Sequence, residues 1–190
     1  MTEPTRTPTE QTAERGIKGA TLAVFVEGLR QRDPDAVVNA VLMFAATYLP
    51  SVAERLFDVE FRPWQRVYTE ISMLAHAVGI LGPYDDTWWW DHVTHVLSAT
   101  LLGGFVHVAA DHLGRNPRRD VLASIVGGGL LWEIMEYAVH RLSDRLGIEP
   151  VLVYYGRRDT VEDLLFDLLG ALFVLLFGDR LLRNFTRDAD

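Results

Sequence analysis

Residues 36–53, AVVNAVLMFAATYLPSVA, are eighteen consecutive positions without a charge. An apolar helix of about 20 residues crosses a hydrocarbon layer of ~30 Å, so this run reads as a membrane span. Two further runs, 121–132 and 168–178, carry no charge on any side of a helix. A soluble surface helix keeps a polar face, and these have none. The alternative is a soluble all-helical protein with a large core, because only the first run reaches eighteen residues free of both charge and histidine.

Punctuation between the runs divides the chain. Asp33-Pro34 marks a helix start, Pro50 kinks the end of the first span, and Gly82-Pro83 ends another. The reading is all-α: a polytopic membrane bundle with spans at 36–53, 67–81, 88–113, 120–140 and 159–182. A short helix at 17–29 lies at the interface or adds a sixth span. Residues 1–16 form a disordered polar tail, 17–182 a single helical membrane domain, and 183–190 a polar C-terminal tail. Trp88, Trp89, Trp90, Tyr154 and Tyr155 suit an aromatic belt, and Gly103, Gly104, Gly127, Gly128, Gly129 and Gly170 suit close helix approach.

Charge excludes one class of partner. The net charge is −8, against a nucleic-acid binder; it is the apolar runs that make membrane lipids the expected surroundings. Without cysteine there is neither a disulfide framework nor a thiolate metal site. Lys18 is the single lysine among 18 basic residues, a composition of a high-GC or salt-loving source.

The polar residues inside the apolar segments are the informative ones. Asp91, His92 and His95 open one span, Glu133, Glu136 and His140 close the next, and Asp159, Asp163 and Asp167 open the last. Alternating direction brings all three groups to one membrane face. Steps of three and four place each group on one helical stripe. His76, near the end of 67–81, is a candidate to join them.

Several carboxylates in a membrane repel one another and are costly to bury. They share protons, or a cation neutralises them. Imidazole mixed with carboxylate suits Zn, Fe or Mn better than Ca or Mg. Spacings of i, i+3 in helical bundles hold metals between helices. The expected ligands are therefore Asp91, His92, His95, Glu133, Glu136, His140, Asp159, Asp163 and Asp167. Glu133, Glu136 and Asp163 are the catalytic candidates. Arg157 and Arg158 anchor to headgroups or, with His76, contact an anionic substrate.

Plainer roles compete. Asp91 and Asp159 suit helix N-caps. His107, Asp111 and His112 suit the opposite interface, Glu70 a loop-side or helix-pairing role and Glu162 a solvated one.

The motifs Trp90-Asp91-His92-x-x-His95, Glu133-x-x-Glu136-Tyr137 and Asp159-Thr160-x-x-Asp163, followed by Gly170-Ala171, resemble the YjdF-like family of small integral membrane proteins. A more distant similarity is to VanZ-like proteins, with D-K-x-x-H, E-x-x-Q and D-x-x-x-N-x-x-G. Here His92 stands for the Lys, and Asp163-x-x-x-Asp167-x-x-Gly170 has Asp for the Asn. The resemblance covers about residues 36–182. It implies a polytopic helical membrane protein, and the VanZ-like likeness implies a role at the cell envelope.

Three functions fit this pattern. One is a metal-dependent hydrolase or transferase acting on lipid or envelope headgroups. Another is an ion- or proton-coupled transporter or proton relay. The third is a structural membrane protein with a metal staple. The turn 114–119 carries three Arg and 83–87 none. The positive-inside rule then places the acidic cluster outside the cell membrane, although the four Arg of 141–158 argue the other way.

Overall fold

The computed structural model describes residues 7–57, 59–150 and 152–186. They form helices without strands. Two compact units divide the chain, residues 1–90 and 91–190.

The first unit holds α1 (Pro8–Gln31), α2 (Pro34–Ala46), α3 (Leu49–Phe57), α4 (Pro63–Gly79) and the single turn α5 (Pro83–Asp86). α1 begins nine residues earlier than the expected helix at 17–29. The cause is local: Thr7 Oγ1 accepts from Glu10 N–H, Glu10 Oε2 accepts from Thr7 N–H at 2.9 Å, and Pro8 takes the first helical position. This reciprocal cap satisfies donors that a helix start leaves open. Residues 8–16, expected in a disordered tail, are thus helical, and Glu14 is buried; residues 1–6 lie outside the described ones.

Asp33 starts α2 as expected, its carboxylate accepting from Asp35 N–H at 3.0 Å and Ala36 N–H at 2.9 Å. The kink expected at Pro50 falls at Thr47–Tyr48 instead. Proline has no N–H and its ring crowds the carbonyl four residues back, here Ala46, so the break precedes it.

Charge lies at the heart of this unit. Arg66 of α4 bonds Glu14 at 3.1 Å, Glu54 at 2.7 Å and Ser51 at 2.6 Å. Lys18 Nζ lies 2.9 Å from Glu70, whose side chain is fully covered. Glu70 does pair helices, α1 with α4.

The second unit comprises α6 (Trp90–His112), α7 (Pro117–Leu146), α8 (Arg157–Leu181) and a final 3₁₀ turn (Arg183–Phe185). Asn116 caps α7 through Arg118 N–H and Arg119 N–H, with Pro117 in the first turn. α7 runs six residues past the expected 140 and ends at Gly147, left-handed at φ 67°. The connection to α8 shortens accordingly to residues 147–156.

α6 and α8 lie parallel, in a register read from their contacts: His92 with Asp163, His95 with Asp167, Gly170 against Ala99, Gly103 against Val174, Gly178 against His107. A Cβ on Gly170 would sit 2.6 Å from Ala99 Cβ and 2.8 Å from Val96 O, so only glycine permits this crossing. α7 runs antiparallel to α8. Gly129 faces Asp167 and Leu164, while Tyr137, further along α7, meets Tyr154 just before α8. A small core of Ala99, Val121, Ile125, Ala171 and Val174 joins the three helices.

Exposure in this unit is inverted relative to a water-soluble protein. Phe105, Leu131 and Leu176 are 69%, 67% and 66% exposed, while Asp163 is 1% exposed. Apolar surface outside and carboxylates inside is the arrangement a bilayer favours. Three segments are long and apolar enough to cross a membrane: Pro34–Phe57, Trp90–His112 and Pro117–Leu146. The two other expected spans do not reach that standard among the described residues. α4 has 17 residues with Arg66 and Glu70 inside it, and α8 carries Arg157, Arg158, Asp159, Glu162, Asp163 and Asp167 in its first half.

Candidate metal centre

The starts of the parallel helices α6 and α8 bring five of the singled-out side chains together. His95 is central. Its Nδ1 lies 3.1 Å from Asp167 Oδ1. An ionised carboxylate only accepts hydrogen bonds, which, with Asp167 ionised, assigns the ring proton to Nδ1. In the neutral ring, Nε2 is then left as a lone-pair donor. That Nε2 lies 3.9 Å from Asp91 Oδ1 and 3.9 Å from Asp163 Oδ1, too far for a hydrogen bond.

A Zn-sized cation sits about 2.0–2.2 Å from nitrogen and oxygen ligands, so two ligand atoms sharing it lie up to roughly 4.2 Å apart. The 3.9 Å separations fall inside that limit but exceed the roughly 3.4 Å of a tetrahedral ligand pair, so the side chains would close by about half an ångström around such an ion. One atom each from Asp91, His95 and Asp163 falls within 4.8 Å of the other two.

His92 supports this group and does not complete it. Its Nδ1 bonds Asp163 Oδ1 at 3.3 Å, and its ring stacks on Phe166 at 4.3 Å with an 8° interplanar angle. Its Nε2 faces Glu162 Oε2 at 3.7 Å. Glu162, expected to be solvated, thus turns toward the site. Sequence periodicity misses it because it neighbours Asp163 and falls off the Asp159–Asp163–Asp167 stripe. Neither Asp91 nor Asp159 is an N-cap: both lie inside the first turn of their helices, and Gly156 caps α8.

α7 supplies Glu133 and Glu136. Both oxygens of Glu133 are buried without a hydrogen-bond partner, and the residue is 6% exposed. Glu136 accepts from Trp132 Nε1–H at 2.8 Å.

The remaining candidates lie elsewhere. His140 Nδ1 accepts Tyr154 N–H at 3.2 Å and so tethers the α7–α8 connection. Arg158 is 91% exposed on its side chain and pairs with Glu162 at 2.7 Å, one turn along its own helix. Arg157 is exposed. His76 belongs to the first unit, where Nδ1 meets the Tyr84 hydroxyl at 2.9 Å. At the far end of α6, His107 is buried beside Gly178 with Nε2 3.2 Å from Asp179, and His112 Nε2 donates to Phe185 O at 2.7 Å. Both lie in the last two turns of α6, at the end opposite Asp91.

Residues 14–184 match the family model described as Predicted membrane protein (DUF2238). An "Uncharacterized protein" of Thermotoga maritima is 25% identical over 141 residues, covering 70% of this chain and 71% of the relative. No solved structure matches.

Proposed function

The chain belongs to the DUF2238 family of predicted membrane proteins, and we propose that it carries a membrane-embedded divalent metal centre formed by Asp91, His95 and Asp163. The carrying observation is the bond from His95 Nδ1–H to Asp167, which leaves Nε2 directed between two carboxylates. A carboxylate behind the distal nitrogen is the usual support of a metal-bound imidazole. The imidazole–carboxylate donor set points to Zn, Fe or Mn.

The activity we assign is hydrolysis or group transfer at the headgroup of a lipid or envelope amphiphile. Asp91 and His95 lie in the first two turns of α6 and Asp163 in the second turn of α8, near the helix starts, where a headgroup would meet them. An apolar cavity of about 150 Å³ between α7 and α8, lined by Ile125, Val126, Leu130, Leu164 and Leu168, reaches Asp167 and has room for a short stretch of an acyl chain. A cation held by Asp91, His95 and Asp163 would polarise a substrate oxygen or activate a water, and Glu136, held by the Trp132 N–H, would accept the proton as general base. The more distant likeness of these motifs to VanZ-like proteins accords with an envelope substrate. The Arg-bearing turn at 114–119 favours a cluster facing outside.

A second reading draws on the same side chains: imidazole and carboxylate alternate from Asp91 through His95 to Asp167, as a proton relay would need. Elemental analysis of detergent-purified protein separates the two. The metal reading expects stoichiometric Zn, Fe or Mn that His95→Ala removes. Metal-free protein with pH-coupled flux in vesicles overturns it. Retained metal whose removal unfolds the protein, without turnover of any vesicle lipid, identifies a structural staple.

A further inference from the structure

We infer that Glu133, Asp159 and Asp163 hold a second divalent cation beside the first, with Asp163 bridging the two. This rests on the metal reading above and extends it to a dinuclear site. The first argument is register. Gly129 of α7 faces Asp167 of α8, and the helices run antiparallel. One turn on along α7 is Glu133, and one turn back along α8 is Asp163. A further turn sets Glu136 against Asp159. Glu133 is therefore on the side of α7 that the carboxylates of α8 face.

The second argument is the state of Glu133 itself. Its two oxygens are covered and have no hydrogen-bond partner. Native proteins satisfy buried polar groups almost without exception, and an uncompensated buried carboxylate is among the least tolerated. A ligand that the carboxylate binds directly removes the conflict.

The third is charge. Asp91, Glu133, Glu136, Asp159, Asp163 and Asp167 bring six carboxylates to one region. Among the described residues, no Lys or Arg forms an ion pair with any of them. One divalent ion at Asp91, His95 and Asp163 leaves the Glu133 side uncompensated. A second ion there neutralises it, and a carboxylate with two oxygens serves both. Metals in such pairs lie about 3.5–4 Å apart, a distance one bridging carboxylate spans.

The test loads detergent-purified full-length protein with Mn(II), removes unbound ion, and reads stoichiometry together with the electron paramagnetic resonance spectrum. The expected result is two Mn per chain with an exchange-coupled spectrum. Glu133→Gln halves the stoichiometry and leaves the six-line spectrum of an isolated ion. One uncoupled Mn per wild-type chain overturns the second site and leaves the first standing. No Mn, and no Zn or Fe in its place, overturns both. Two coupled ions retained in Glu133→Gln remove that residue from the ligand set and overturn the assignment. Should Glu133→Gln lose its monodisperse elution, the wild-type count and coupling decide the matter.

Discussion

Gly129 of α7 and Asp167 of α8 compete for one volume: a Cβ on the glycine would overlap Asp167 Oδ2 and come within 2.9 Å of Leu164 Cδ2. The missing side chain is what lets the Asp167 carboxylate stand beneath His95. Both obstructing atoms are ends of flexible side chains, so Gly129→Ala displaces the carboxylate without parting the helices. Metal affinity is expected to fall by about 10–100-fold, as for loss of an outer-shell partner. Thermal unfolding in detergent is expected to stay close to wild type. Unchanged affinity would mean that Asp167 does not support the site.

Gly170→Ala is the contrasting case. Its Cβ meets Ala99 Cβ and the backbone of Val96 and Thr100, none of which swings aside. Overpacking of this kind destabilises by about 1–3 kcal/mol, so the unfolding midpoint should drop whether or not metal is present. A midpoint unmoved in metal-free protein would contradict the parallel α6–α8 crossing.

The His95–Asp167 bond is tested directly by Asp167→Asn. An amide oxygen still accepts from Nδ1–H, but without the negative charge that raises ligand basicity. Affinity for Zn measured by competition with a chelator is expected to fall by about tenfold or more. His95→Ala is expected to abolish binding at that position. Equal affinity in wild type and His95→Ala rules out Nε2 as a ligand atom.

In the first unit, Lys18 and Glu70 form a charged contact that is nearly closed to solvent. Removing one partner leaves the other charge buried, a loss of about 3–5 kcal/mol. Lys18→Met alone should therefore lower stability sharply. Lys18→Met combined with Glu70→Leu should recover most of it, because apolar replacement of a buried pair is often neutral. Additive losses in denaturant unfolding would show that the pair is not coupled.

α7 is long and apolar enough to span, so its two ends should lie in different compartments. The chain has no cysteine, which permits single replacements at Asn116 and Gly147. A membrane-impermeant maleimide added to intact cells is expected to modify Gly147→Cys and spare Asn116→Cys until the membrane is opened. Equal labelling of both would place α7 on one side of the bilayer.

Much of this architecture was readable from local chemistry. The break at Gly82-Pro83, the Asp33-Pro34 start and the turn at Gly114–Asn116 all follow from backbone rules that act within a few residues. So did the start of α1, whose Thr7-Pro8 and Glu10 signature stood in the sequence and was outweighed by a polar composition. Composition is a poor guide there, because a cap is worth more to a helix start than its average hydropathy. The end of α7 escaped because residues 141–146 are polar enough to read as loop, yet each still makes its helical hydrogen bonds in water.

Alternating helix direction alone placed the acids and histidines of α6, α7 and α8 at one end of a bundle, since a chain that crosses and returns has no other choice. Which of them meet is a matter of angles and register. The parallel α6–α8 crossing, set where Gly170 admits Ala99, selected His95 and Asp167 as partners, turned His92 against Phe166, and left His140 to hold a loop. Residue spacing specifies which face of one helix a side chain occupies. Only the packing of one helix against another, decided by small residues far along the chain, specifies what that face meets.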